Sequence, residues 1–345
     1  MRIWNKSALL RVLISFLLVG AITSSFHFIR LTGNSAPDFE CGTSKNERAK
    51  ISIAAGESGS EIAQSLYRAG VVQSAEAFFR VAVGDSRSGK IAPGNHAIDL
   101  HLCASDALNQ LLDASRISGL INITEGAWIS EILPQMYAAK FSASDVATAM
   151  KNVIKPPKFT ALEGLLFPAQ YSFAEGTSAQ TAIQSMVDRA NQEMKSAGLY
   201  SSREKFTPQQ LLIIASLVQA EGNTQDFGKI SQVIRNRLNK GMPLQFDSTV
   251  HYVKKSRGSV FLSTQSTLIN SPYNTYRRYG LPPGPINNPG ADAMRAAVTP
   301  IKGDWLYFIT VAPFDTRFTS DLNQFNEWKI EYKKNLRAGK FRSGN

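Results

Sequence analysis

The sequence predicts an α+β protein with a single N-terminal transmembrane helix. Three observations lead there: an 18-residue stretch at 12–29 without Asp, Glu, Lys or Arg, a strand–turn–helix pattern that occurs twice, and apolar helical periods interleaved with short aromatic strand-like segments. As a helix, 18 residues reach about 27 Å, just enough to cross a bilayer. Arg2, Lys6 and Arg11 precede the stretch, whereas only Arg30 follows closely before Asp38 and Glu40. The positive-inside rule then places residues 1–10 in the cytoplasm, 11–30 as a single-pass membrane anchor, and everything after it outside. A cleaved signal peptide shares the basic start and apolar middle, but the small-residue cleavage pattern is missing and the apolar run exceeds a usual signal core.

Residues 31–48 are small, polar and turn-forming and read as a linker. Shifting the chain against itself by 70 residues aligns IAAGESGSEIAQSLYRAGVVQS from Ile53 with ITEGAWISEILPQMYAAKFSAS from Ile123, with Gly56/Gly126, Glu61/Glu131 and Ile62/Ile132 among the identical pairs. Each copy reads as a strand, a glycine turn and a helix with one apolar face. The first module is expected over 49–118 and the second over about 119–175. Tandem units of this kind often bind polymers, and a duplicated packing unit without a ligand fits the pattern equally well.

The chain has 345 residues, 43% of them hydrophobic, enough for an extensive core and against general disorder. Its formal charge of +11 is spread in short pairs such as Lys254-Lys255 and Arg277-Arg278, without the aromatic interleaving of a single-strand binder. Charge therefore fits an anionic partner, and nucleic acid is not expected. Cys41 and Cys103 lie in unrelated contexts with no zinc-ligand spacing. In an oxidising exterior they could pair, but sequence does not bring them together. Phosphate-loop, zinc-protease and serine-hydrolase motifs are absent, so no metal and no cofactor is expected.

The chemistry concentrates after Thr207. Thr207-Pro208-Gln209-Gln210 combines an N-cap, a proline at the first helical position and a capping-box glutamine. The following LLIIASLVQAE is apolar nearly all round and should be buried, ending in Glu221 on the continuation of the stripe formed by Leu217 and Val218. Desolvation and the negative end of the helix dipole would both raise the pKa of such a carboxyl and keep a proton available for transfer. Local sequence is equally compatible with a solvated last residue of a buried helix. A second helix over about 225–240 carries Arg235, Asn236 and Arg237. After it come LQFDST (244–249), YNTY (273–276), the Pro/Gly-rich GLPPGPINNPG (280–290), a core strand WLYFIT (305–310) and a basic amphipathic tail helix.

In this order, ASLVQAEGN, VIRNRLNKGMPLQFDST, YNTY and GLPPGPINNPG resemble the MltG, or YceG-like, endolytic murein transglycosylases. The resemblance implies a membrane helix, LysM-like small modules and a mixed α+β catalytic domain over 119–345. It also implies cleavage of the β-1,4 bond between N-acetylmuramic acid and N-acetylglucosamine within peptidoglycan strands, leaving 1,6-anhydro ends and ending strand elongation. Peptidoglycan and the membrane are the implied partners, with penicillin-binding proteins beside them. The family's catalytic glutamate falls on Glu221; Gln219 stands where another glutamate is common, and Ser248 where proline is usual. Gln245, Asp247, Tyr273, Asn274 and Tyr276 are expected along the glycan cleft, with Asn236 and Arg237 supporting its wall. Two other readings stay open: a non-catalytic peptidoglycan-binding scaffold, and a water-using muramidase with Asp247 as its second carboxylate.

Overall fold

A computed structural model describes residues 36–54, 56–173, 176–201, 205–257 and 263–341. The chain divides into two compact units, 1–117 and 118–345. In the first, β1 (Lys45–Ile53) pairs antiparallel with β2 (Gly94–Leu100), Ile51 opposite His96. Between the strands lie α1 (Gly59–Arg68), closed by a Ser58/Glu61 capping box, and α2 (Ala75–Gly84), capped by Ser74. With α3 (Ala104–Leu112) they bury Leu66, Phe78, Ile98, Leu108 and Leu111. Cys41 and Cys103 form a disulfide across 62 residues with Cα atoms 5.0 Å apart. Closing a loop of that length removes chain entropy worth roughly 4 kcal/mol from the unfolded state.

The second unit opens on the other copy of the repeat. β3 (Leu120–Asn122) pairs antiparallel with β4 (Gln170–Ser172), and α4 (Ile129–Ala138) and α5 (Ala143–Asn152) lie between them in sequence. Both copies thus run strand, helix, helix, strand. The glycine they share has a physical reason: Gly56 and Gly126 sit at φ +82° and +75°, where a side chain is strained. Where Ser58 caps the first copy, Trp128 holds the corresponding position in the second, and Glu131 still closes the backbone side of the box.

The rest of this unit is built around α7 (Pro208–Glu221), whose residues 211–218 are all buried. α6 (Ala179–Ser196), α8 (Phe227–Asn239) and α10 (Ala291–Val298) contribute Ile183, Met186, Ile230, Ile234, Met294 and Ala297 to the same core. Each fully buried aliphatic side chain adds roughly 1.5–3 kcal/mol, so this helix is held rigidly. α9 (Asp247–Lys254) follows α8, the hairpin β5 (Tyr307–Ala312) and β6 (Asp315–Thr319) follows α10, and α11 (Leu322–Arg337) is the last described helix.

One expectation is corrected here. No helix among the described residues is long and apolar enough to cross a membrane. Crossing takes about 20 apolar residues, and α7, whose residues 211–218 are all buried, has 14 and is spent on the protein core. The segment 12–29 that prompted the transmembrane assignment lies outside the described residues, so the structure gives the single-pass fold and the membrane location no support.

Candidate active site

The Thr207 hydroxyl accepts from the Gln210 amide at 3.2 Å and Gln210 Oε1 accepts from the Thr207 amide at 2.9 Å, so α7 starts with the expected capping box. Fourteen residues later it delivers Glu221 to a partly exposed position at its far end. Gly222 caps the helix in an extended rather than left-handed conformation. Glycine is needed there because a Cβ would collide with Ile230 of α8.

Glu221 accepts a hydrogen bond from the Ser248 hydroxyl at the start of α9. Its carboxyl is pushed up from the usual 4.5 to about 7, chiefly by burial; the negative charge of Asp247 adds to the rise, while Ser248 and the Arg237 cation oppose it. Asp247 is exposed and accepts from the Tyr276 hydroxyl, and Tyr276 is itself pushed up by burial and by that bond. Gln245, exposed and at φ +51°, gives its amide to Thr275 O at 3.1 Å, and the Thr275 hydroxyl accepts from the Phe246 amide at 2.9 Å. Thr275 thereby ties segment 244–249 to segment 273–276.

Arg237 is buried and donates through Nε to Leu306 O at 2.7 Å and through Nη1 to Leu244 O. Asn236 donates to Gly303 O at 3.0 Å and Trp305 O at 2.8 Å. Both join α8 to neighbouring loops, and Arg237 also places its cation near Glu221. The structure therefore brings Glu221, Asp247, Tyr276 and Arg237 into one electrostatic group.

Two of the expected cleft residues lie elsewhere. Asn274 is fully buried and donates to Thr267 O and Ile269 O at 2.9 and 2.8 Å, pinning its own loop. Tyr273 packs its ring 5.2 Å from that of Tyr252 and lines a separate cavity with Glu163. The run 280–290 is irregular and almost wholly buried: Asn287 donates to Ser216 O at 2.8 Å and Gly290 N to Gln219 Oε1 at 2.9 Å, so it braces α7.

Sequence reasoning missed Glu163, whose carboxyl is also pushed up to about 7 by burial. Its signal was an acid inside the apolar LEGLLF. It also passed over Ser248 as a donor to Glu221. Among the described residues, the one grouping of potential metal donors is Cys41, Cys103 and Asp106, and its two sulfurs are tied in the disulfide.

A carboxyl held well above its usual range at the end of a buried helix, with a second acid and a cation beside it, has the features expected of a general acid–base site. Residues 51–331 match the model of the YceG-like family, and the chain belongs to that family. It is 33% identical over 314 residues to an endolytic murein transglycosylase of Bacillus subtilis (strain 168), covering 82% of this chain and 84% of that one. An endolytic murein transglycosylase of Streptococcus pneumoniae (strain R6) is 40% identical over 156 residues, covering 43% of this chain and 28% of the other. A crystal structure of a YceG-like protein from Listeria monocytogenes is similar at a TM-score of 0.55 and 27% identity, covering 82% of this chain and 99% of that one.

Proposed function

We propose that the chain cleaves the β-1,4 bond between N-acetylmuramic acid and N-acetylglucosamine inside peptidoglycan strands and leaves a 1,6-anhydro end, with Glu221 as acid and then base. Membership of the family and the resemblance to murein transglycosylases along most of the chain make it a peptidoglycan lytic transglycosylase. The finer reading rests on one observation: a carboxyl pushed up to about 7, chiefly by burial, at the end of a rigid helix and hydrogen-bonded by Ser248. Protonated Glu221 gives its proton to the glycosidic oxygen as the C1–O bond breaks. The muramic C6 hydroxyl then attacks C1 and returns its proton to the Glu221 carboxylate. The substrate supplies its own nucleophile, so one carboxyl suffices where a hydrolase needs two.

Digestion of purified sacculi followed by mass spectrometry of the fragment ends tests this directly. Anhydromuramic ends are expected. Reducing ends would instead assign a water-using muramidase, a reading favoured by Asp247 lying close enough to Glu221 to perturb it.

Ser248 supplies a further prediction. The first step needs the protonated acid, so kcat should hold below about pH 7 and fall as pH rises through that value. The Ser248 hydroxyl favours the ionised form, so Ser248→Ala should move this basic limb to higher pH. A limb that stays in place would show that the hydroxyl does not tune the acid.

A further inference from the structure

α9 carries two hydroxyls one helical turn apart on the same face, Ser248 and Tyr252, an i,i+4 pair. Each donates to a carboxyl from another part of the chain: Ser248 to Glu221, and Tyr252 to Glu163 Oε2 at 3.3 Å. The other oxygen of Glu163 accepts from the amide of Ile129, the first residue of α4, and from Asn288 Nδ2, both at 3.1 Å. One carboxyl thereby collects donors from three separate segments, α4, the loop 286–290 and α9.

Asn288 also grips the backbone just after Glu163, its Oδ1 accepting from Gly164 N at 3.0 Å and Leu166 N at 2.9 Å. The same loop reaches α7 where Ile286 N donates to Ser216 Oγ at 3.1 Å and Asn287 Nδ2 to Ser216 O at 2.8 Å. Two routes therefore run from Glu163 toward Glu221, one through the loop and α7, the other through Tyr252 and α9. Burial pushes the Glu163 carboxyl up to about 7; its bonds from Ile129 and Tyr252 and the Arg257 cation oppose the rise, and the Glu131 carboxylate adds to it. An apolar side chain would fill this place without the cost of desolvating an acid, so what the carboxyl adds is directional bonding.

Besides burial, the groups that act on the Glu221 carboxyl are Ser248, Asp247 and Arg237, and the first two of these open α9. The seat of α9 thus decides how Glu221 holds its proton. We propose that Glu163 is a positioning residue for the reaction: through Tyr252 it seats α9 so that the Ser248 hydroxyl meets Glu221. Glu163 itself touches neither Glu221 nor Ser248 and acts only through the helix between them. The inference rests on the lytic transglycosylase reading above, with Glu221 as the acid.

The pH profile of kcat for peptidoglycan cleavage tests it, with Tm measured beside it, in Tyr252→Phe, Ser248→Ala, the double variant, Glu163→Ala and Glu163→Gln. Tyr252→Phe removes only the link, because the ring keeps its packing at 5.9 Å from Trp128 and 5.2 Å from Tyr273, centroid to centroid. It should lower kcat about tenfold with KM within about twofold. Its basic limb should move to higher pH, by no more than in Ser248→Ala, and the double variant should match Ser248→Ala alone. Glu163→Ala should behave like Tyr252→Phe, and Glu163→Gln should regain most of the lost kcat, since its amide still accepts from Ile129 and Asn288 and can donate to the Tyr252 oxygen. A wild-type kcat and limb in Tyr252→Phe would overturn the proposal whether or not Glu163→Ala folds. Additive limb shifts in the double variant, or a lower Tm with the limb in place, would overturn it too, the latter by making the cluster purely structural. Cleavage that survives in Glu221→Gln, where Glu163, Tyr252 and Ser248 are intact, would instead remove the functional reading.

Discussion

Glu221→Gln is expected to cut the release of anhydromuramic fragments by about 10²–10⁴-fold, the range that a positioned acid–base group contributes. Glutamine keeps the size of the side chain and can still accept from Ser248 through its amide oxygen, so what is lost is the transferable proton. The variant should also fold well, because the wild-type carboxyl is a thermodynamic liability at high pH. Its folded pKa of about 7 lies above the usual 4.5, so its contribution to stability is fully present below about pH 4.5 and is lost as pH rises through 7. Tm of the wild type should therefore fall across that window, and Glu221→Gln should fall less. Equal pH slopes would show that Glu221 is solvated like any surface acid. Undiminished cleavage would remove it from the chemistry altogether.

The parts of the unit that were legible in sequence are those specified locally. The Thr207 capping box, Pro208 and an unbroken apolar run mark out α7, and Glu221 comes at its end because the run stops there. The basic amphipathic tail helix is marked by its periodicity in the same way. By contrast, α9 starts inside LQFDST at Asp247, and Phe246 before it makes no side-chain cap, so nothing in the sequence announces a helix there. YNTY looks like one cluster of ligands. In the fold it is a turn that sends Tyr273 to the Glu163 cavity, Asn274 into its own loop and Tyr276 to Asp247. Glu163 depends on Asn288, 125 residues away, and on Ile129, 34 residues away. Long-range contacts of that kind leave no local pattern.

Asn288 gives the second large effect. Its side chain is fully buried and satisfied at both ends: Nδ2 donates to Ala127 O at 2.9 Å and to Glu163, while Oδ1 accepts from Gly164 N at 3.0 Å and Leu166 N at 2.9 Å. It joins the turn before α4, the segment around Glu163 and the loop that braces α7. Asn288→Ala would orphan two buried amides, each costing about 1–3 kcal/mol, so a loss of about 3–4 kcal/mol is expected, or roughly 10 °C in Tm for a unit of this size. Relaxation cannot readily repair the site, since Gly164 sits at φ +90° with Pro285 within 2.8 Å of where a Cβ would stand. Because the same loop holds Ser216 and Gln219, kcat should fall along with Tm. A Tm change below about 2 °C in thermal unfolding would mean that water replaces the amide at little cost. Lost stability with unchanged kcat would uncouple the brace from the position of Glu221.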